Sequence, residues 1–264
     1  MKIVQKIEAD FRAAAIEFGR LSSLSSQSGA ILTMTSGIAV DDLNWIWNKK
    51  SLTPDHNNEI TKLKNHFRGL SLPFWWWVYP GGQSATTKKI LQEQEFRFLK
   101  EVPCLAARLN ASPGALSDQD KLEAVTINAV ACREDLLLWE LLSFRGFAMP
   151  RETEKQYSTF VNSWNVPANQ HLRLFNAYAH GKPAASGLLL FHGKTAGIYF
   201  LSVLPECRGR GIGLALTAAL LQYARKKDYQ LCVLQSSEEG FSVYQRAGFR
   251  HYCSADIYVP ADQL

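Results

Sequence analysis

Cysteine is scarce in this chain and poorly placed for pairing. Five residues, Cys104, Cys132, Cys207, Cys232 and Cys253, are scattered over 264 positions. Their number is odd and no two share a metal-ligand spacing, so neither a disulfide framework nor a zinc-type cluster is indicated. They read as reduced or buried thiols, and no metal is expected. No run of about 18 apolar residues occurs, which excludes a membrane-spanning helix. The opening stretch, MKIVQKIEADFRAAAIEF, carries charges throughout and lacks the apolar centre of a secretory signal, so a cytoplasmic protein is expected. A strong excess of one charge is missing too: the net charge is +5. The longest basic run, Arg225, Lys226 and Lys227, falls where a helix should end and complements the negative pole of its dipole. Without a basic stripe interleaved with aromatics, nucleic acid is not an expected partner. No internal repeat is visible.

What is present is enough apolar material, 47 % of residues, for a substantial core in one large domain or two smaller ones. A helix is expected from about Ile3 to Leu21, followed by the serine-rich loop SSLSSQSGA and a strand at ILTMTS. Asp42–Lys49 and Asp55–Phe67 read as short helices, and LPFWWWVY (72–79) reads as a strand stopped by PGG. Ser84 is placed to cap a helix running to about Glu95, and FRFLKEVPCLAARL returns as extended chain. The polar stretch NASPGALSDQDK (110–121) contains Pro113 and Gly114 and has no apolar periodicity, which makes it the best domain boundary. It gives an N-terminal domain over 1–112 and a C-terminal one over 120–264. Beyond it, LEAVTINAV is strand-like, and Asp135–Phe144 and Glu152–Asn162 read as helices.

From residue 172 the pattern sharpens. LRLFNAY, AASGLLLFH and TAGIYFLSV are three strands joined by glycine-bearing turns, hence an antiparallel meander. Pro205 closes the third. Ile212, Leu216, Leu220 and Tyr223 recur at helical spacing. YQLCVLQ (229–235) is a buried strand, Glu238–Ala247 a helix with Gly248 as its left-handed cap, and Phe249–Val259 extended again.

The segment ECRGRGIG, between the third meander strand and the following helix, is the richest in glycine. It is not a P-loop, because no GxxxxGK follows. Nor is it a dinucleotide fingerprint: the third glycine position falls on Leu214, and the strands before it are antiparallel. A turn of this kind at a helix N-terminus brings backbone N–H groups together, and Arg208 and Arg210 add positive charge, so a diphosphate is the natural guest.

PECRGRGIGLALTAALL resembles the acetyl-CoA signature of the GNAT acyltransferase superfamily, [QR]-x-x-G-x-[GA], with Arg208, Gly211 and Gly213 at the fixed positions. FSVYQRAGF (241–249) resembles the second hallmark of that superfamily, Y-x-x-x-G-F. The two motifs stand in the right order with the right strands between them, and the resemblance spans about 120–264. It implies an α/β (α+β) protein with a mixed, mostly antiparallel sheet flanked by helices, accompanied by a smaller N-terminal α/β domain. It further implies acetyl-CoA as co-substrate. Backbone groups of Leu201, Ser202 and Val203 would meet pantetheine amides, and the N–H groups of Arg208, Gly209, Arg210, Gly211, Ile212, Gly213 and Leu214 would hold the pyrophosphate. Tyr244 would be the acid that returns a proton to the leaving thiolate. Ser237 stands where many relatives have an asparagine that touches the cofactor.

The general base is not readable; Glu206, His192, Tyr199 and His251 all fall near the cleft in sequence. The implied activity is N-acetylation of a small-molecule, amino-acid-like or peptide amine by direct attack, in a monomer or homodimer. A non-catalytic acyl-CoA sensor and a partner-docking module remain rivals. The N-terminal domain lacks both motifs and vaguely resembles the degenerate leading domain of two-domain GNAT proteins. In its WWW run, Trp75 and Trp77 should face one side of a strand and Trp76 the other, as core or as part of an acceptor pocket or interdomain face.

Overall fold

The computed structural model of the protein describes residues 2–19, 30–110, 125–166 and 168–263. The chain divides into two units that interleave in sequence: Met1–Ala14 with Cys104–Tyr252, and Ala15–Pro103 with Cys253–Leu264. The expected boundary at 110–121 lies outside the described residues from position 111 onward, as does most of SSLSSQSGA.

The first unit contains the start of α1 (Ile3–Gly19), α4 (Arg133–Gly146), α5 (Glu154–Ser163), α6 (Ile212–Lys226) and α7 (Glu238–Arg246). Its strands are the end of β4 (Phe96–Arg108), β5 (Val125–Ala129), β6 (Leu172–Ala179), β7 (Lys182–His192), β8 (Thr195–Val203) and β9 (Leu231–Gln235), in the order β4-β9-β8-β7-β6-β5. Every neighbouring pair is antiparallel except β8 with β9. The meander forms because its turns suit it. His180 and Gly181 both have positive φ, 50° and 74°, which matches the right-handed twist of a tight hairpin. Helix α6 turns Ile212, Leu216, Leu220 and Ala224 into a core with Ala185, Leu189, Ala196 and Ile198 of β7 and β8.

The second unit holds β1 (Ile31–Thr35), β2 (Asn44–Asn48), α2 (Asn57–Gly69), β3 (Trp75–Val78), α3 (Ala85–Glu93) and most of β10 (Arg250–Pro260), with strands in the order β1-β2-β3-β10. Ser84 caps α3 as expected, its hydroxyl accepting from the Thr87 N–H at 3.0 Å. One expectation fails. Asp42–Lys49 is not a helix but a short 3-10 turn, Asp41–Leu43, followed by β2. Strand β2 lies between β1 and β3 and is buried at all five positions, so pairing on both edges overrides the local helical reading.

The tryptophan run alternates as expected. Trp76 is fully buried among Ile46, Phe67, Phe74 and Phe96, and its indole N–H donates to Asn48 Oδ1 at 2.8 Å. Trp77 turns to the other face with Trp45 and Tyr79, and Trp75 is half-buried beside them. Trp76→Ala would leave a large cavity and strand the Asn48 carbonyl, and it should cost the second unit about 3–5 kcal/mol in urea unfolding. A loss under about 1 kcal/mol would contradict this packing.

Candidate functional site

The site is built where two strands part. Strands β8 and β9 pair at Thr195–Leu231, Ala196–Cys232 and Gly197–Val233 and, among the described residues, no further. Strand β8 nevertheless continues to Val203 and β9 to Gln235. Leu201, Ser202 and Val203 therefore lie on a stretch of β8 whose β9-side backbone edge has no strand partner among the described residues. On its other edge β8 carries a bulge. Tyr199 pairs with Leu188 and Ser202 with Ser186, so Phe200 and Leu201 together oppose Gly187. Phe200 takes a φ of 48°, unusual for a bulky residue, and is held there by Trp139, Phe147, Phe160 and Trp164 at ring distances of 5.3–6.4 Å. The Gly187 carbonyl accepts from the Trp139 indole at 3.0 Å.

After β8 the chain makes a 3-10 turn at Pro205–Cys207 and enters α6 through two left-handed glycines, Gly209 and Gly211, both with φ of 76°. A side chain at either would be strained. The helix begins at Ile212, and the Gly211 carbonyl accepts its first bond, from Ala215 N–H at 2.9 Å. The N–H groups of Ile212, Gly213 and Leu214 thus fall in a first turn that has no intrahelical acceptors, at the positive pole of the helix. A Cβ on Gly213 would meet Val203 at 3.5 Å, an ordinary contact.

Arg208 is tied down by its own guanidinium, which donates to the carbonyls of Val203 at 3.2 Å and Gly146 at 2.9 Å. It braces the loop against β8 and the end of α4, while Arg210 is exposed. The Ser202 hydroxyl is buried against that of Ser186 at 3.0 Å, and the side chains of Leu201 and Val203 pack on the core. Ser237 caps α7 by accepting from the Gly240 N–H at 3.1 Å.

Tyr244, on α7, is buried against Gly240 and Phe249 in the same core as Cys232. Burial, and then the neighbouring Cys232, push its hydroxyl above the ordinary tyrosine range, so it stays protonated. Of the base candidates, Glu206 is exposed and paired with Arg145 at 2.9 Å, and His192 and His251 are exposed. Tyr199 is different. It is buried, and its hydroxyl donates to Asp10 Oδ2 at 2.9 Å.

Asp10 is the residue that sequence reasoning missed. It is fully buried on α1, and its Oδ1 has no hydrogen-bond partner among the described residues. The signal was present: Ile7, Phe11 and Ala14 form the buried stripe of α1, and Asp10 falls within it at helical spacing. Burial raises its carboxyl from the ordinary aspartate range to about 8, with the Tyr199 hydrogen bond opposing part of the rise.

Comparison with known proteins places this geometry. Residues 134–249 match the model of the acetyltransferase (GNAT) family. Among solved structures, a GCN5-related N-acetyltransferase from Kribbella flavida aligns at 15 % identity over 96 % of this chain and 95 % of its own, with a TM-score of 0.63. One from Sphaerobacter thermophilus aligns at 14 % identity over 87 % of this chain and 76 % of its own, also at 0.63. A tandem GNAT protein from the clavulanic acid biosynthesis pathway aligns at 15 % identity over 81 % and 74 %, at 0.54. These likenesses establish the fold. No curated protein matches the sequence. Among the described residues no group of three His, Cys, Asp or Glu side chains could hold a metal, and no helix is long and apolar enough to cross a membrane.

Asp10 gives the fold a pH signature. Its folded value near 8 lies above that of an unfolded aspartate, about 3.9, so the native state retains a proton that the unfolded chain releases. The stabilisation from that proton is complete below pH 4 and is lost as pH rises through about 8. In Asp10→Asn the oxygen facing Tyr199 is kept and the ionisation removed. The melting temperature of wild type should therefore fall between pH 4 and 8 relative to that variant, and parallel curves would show that Asp10 titrates normally.

Proposed function

With a GNAT-family domain at residues 134–249 as premise, we propose that this protein binds acetyl-CoA and transfers the acetyl group to a primary amine of a small molecule, amino-acid-like compound or peptide. The observation that carries the reading is the parting of β8 and β9 beside a helix entered through two left-handed glycines. A pantetheine arm is a chain of amides. It needs a backbone edge to pair with, and Leu201, Ser202 and Val203 lie on such an edge. A diphosphate needs convergent N–H donors and a positive pole, and the turn from Arg208 to Leu214 leads into one. In this reading Arg208 acts by fixing the loop, and Arg210 is the exposed positive side chain beside the diphosphate.

The chemistry asks for three things. An amine must lose a proton, a tetrahedral oxyanion must form, and a thiolate must leave. Tyr244 answers the third. Its buried hydroxyl is held protonated and is a hydrogen-bond donor for the leaving sulfur, and the same dry surroundings increase the thiolate's own demand for a proton. Direct attack suits the site better than an acyl-enzyme. Cys207, the cysteine of the glycine-rich turn, is half-buried and packed against the core.

Two measurements test this reading. Acetyl-CoA should bind in a calorimetric titration, and Gly211→Asp should abolish binding by placing a strained, negative side chain at the diphosphate; unchanged affinity in the folded variant would remove the cradle. Tyr244→Phe should lower kcat by about 10²-fold or more with acetyl-CoA affinity near wild type. A kcat close to wild type would leave Tyr244 as packing alone, and binding without thiol release toward any amine would make the protein a sensor.

A further inference from the structure

Asp10 needs a reason to be where it is. A carboxyl group buried to zero exposure with one oxygen unpartnered among the described residues costs folding free energy, and buried polar atoms are ordinarily satisfied. The surrounding backbone is shaped to admit it: a Cβ on Gly197 would collide with Asp10 Oδ2 and with the Tyr199 ring. Gly197 is also the last β8 residue paired with β9, so the carboxylate arrives where the strands part. Tyr199 follows, two residues on, immediately before the bulge.

We propose that Tyr199 and Asp10 form the proton-accepting relay of the acyl transfer, with Tyr199 meeting the attacking amine and Asp10 behind it as the positioning group that takes up the released proton. This rests on the transferase reading and supplies the base that reading lacks. The faces of β8 support the assignment. Ala196 and Ile198 pack toward α6, so Tyr199, one residue on, points to the opposite face, while Tyr244 is in the core on the α6 side. Cys232 of β9, paired with Ala196 of β8, lies in the same core as Tyr244 and feels the charge of Asp10. Among the described residues, the titratable groups that interact with the pair are Cys232 of β9 and Cys104 of β4. No cation is among them, so none of the described residues holds Asp10 permanently ionised, and it exchanges its proton in the neutral to mildly alkaline range.

The step balances without an added reagent. The amine nitrogen attacks the thioester carbonyl and the C–N bond forms. The excess proton on nitrogen passes to Tyr199 Oη as the Tyr199 proton passes to Asp10 Oδ2. The C–S bond then breaks and the thiolate takes the proton of Tyr244. Asp10 afterwards returns its proton to solvent, and Tyr244 regains one.

The test is steady-state transfer from acetyl-CoA to whichever of spermidine, glucosamine or a short peptide with a free N-terminus reacts fastest. Wild type, Asp10→Asn, Tyr199→Phe and the double variant are compared. Each single variant should lose about 10²-fold or more in kcat with KM for acetyl-CoA near wild type, and the double variant should be no slower than the worse single. Wild-type kcat should rise with pH through about 8 and level off above it, and Asp10→Asn should lack that limb. A purely structural hydrogen bond would not move the limb. If Asp10→Asn does not fold, the reduced kcat of a folded Tyr199→Phe carries the test. Wild-type rates and pH profile in either folded single variant, or losses that multiply in the double, would overturn the relay alone. A wild type that binds acetyl-CoA yet releases no thiol with any of the three amines would remove the transferase reading and the relay with it.

Discussion

Three rungs of parallel pairing between β8 and β9, and then a parting, set the layout of the first unit. Strands with open backbone edges are costly unless something else pairs with them. Here the cost is borne at the end of β8, and several features converge on that place. The bulge at Phe200 re-aims β8 just as its partner leaves, four aromatic rings hold the bulge, and Trp139 takes up the Gly187 carbonyl. Arg208 braces the loop that follows by bonding to Val203 and Gly146. A gap maintained by this many separate contacts is a built feature of the fold.

Around the gap, polar groups are kept dry. Tyr244, Tyr199, Cys232 and Asp10 are all buried, and in each the main cause of the pKa rise is burial. Burial keeps the phenols and the thiol protonated, and it brings a carboxylate from far below neutrality to a value close to it. One physical effect thus underlies both the donor and the acceptor of the proposed transfer. In the proposed transfer, the role of each residue follows from its starting pKa and from the element that carries it.

The second unit solves a packing problem of a different kind. Its sheet is short, so each strand must bury much apolar surface per residue, and tryptophan and phenylalanine do this. Trp76 faces Phe96 at 5.3 Å and Trp77 faces Trp45 at 6.2 Å, on opposite sides of β3. The C-terminal segment completes this unit, with β10 pairing β3 at Asp256–Tyr258. The order of the chain is therefore not the order of its units.

The sequence by itself determined the meander, the α6 stripe, the glycine-led helix start and the alternation of the tryptophans, because each rests on local periodicity or on backbone freedom at single residues. It misjudged Asp42–Lys49, where the backbone is captured on both edges by β1 and β3, a non-local fact. Asp10 was visible as a carboxylate within an apolar stripe, but its partner lies 189 residues away on β8, and no local pattern names it. The open edge at Leu201, Ser202 and Val203 entered only through resemblance, as the stretch that would meet pantetheine, since two apolar strands read alike whether or not they stay paired. Tertiary structure alone decided where pairing stops and which side chains are dried together, because both depend on contacts between residues far apart in the chain.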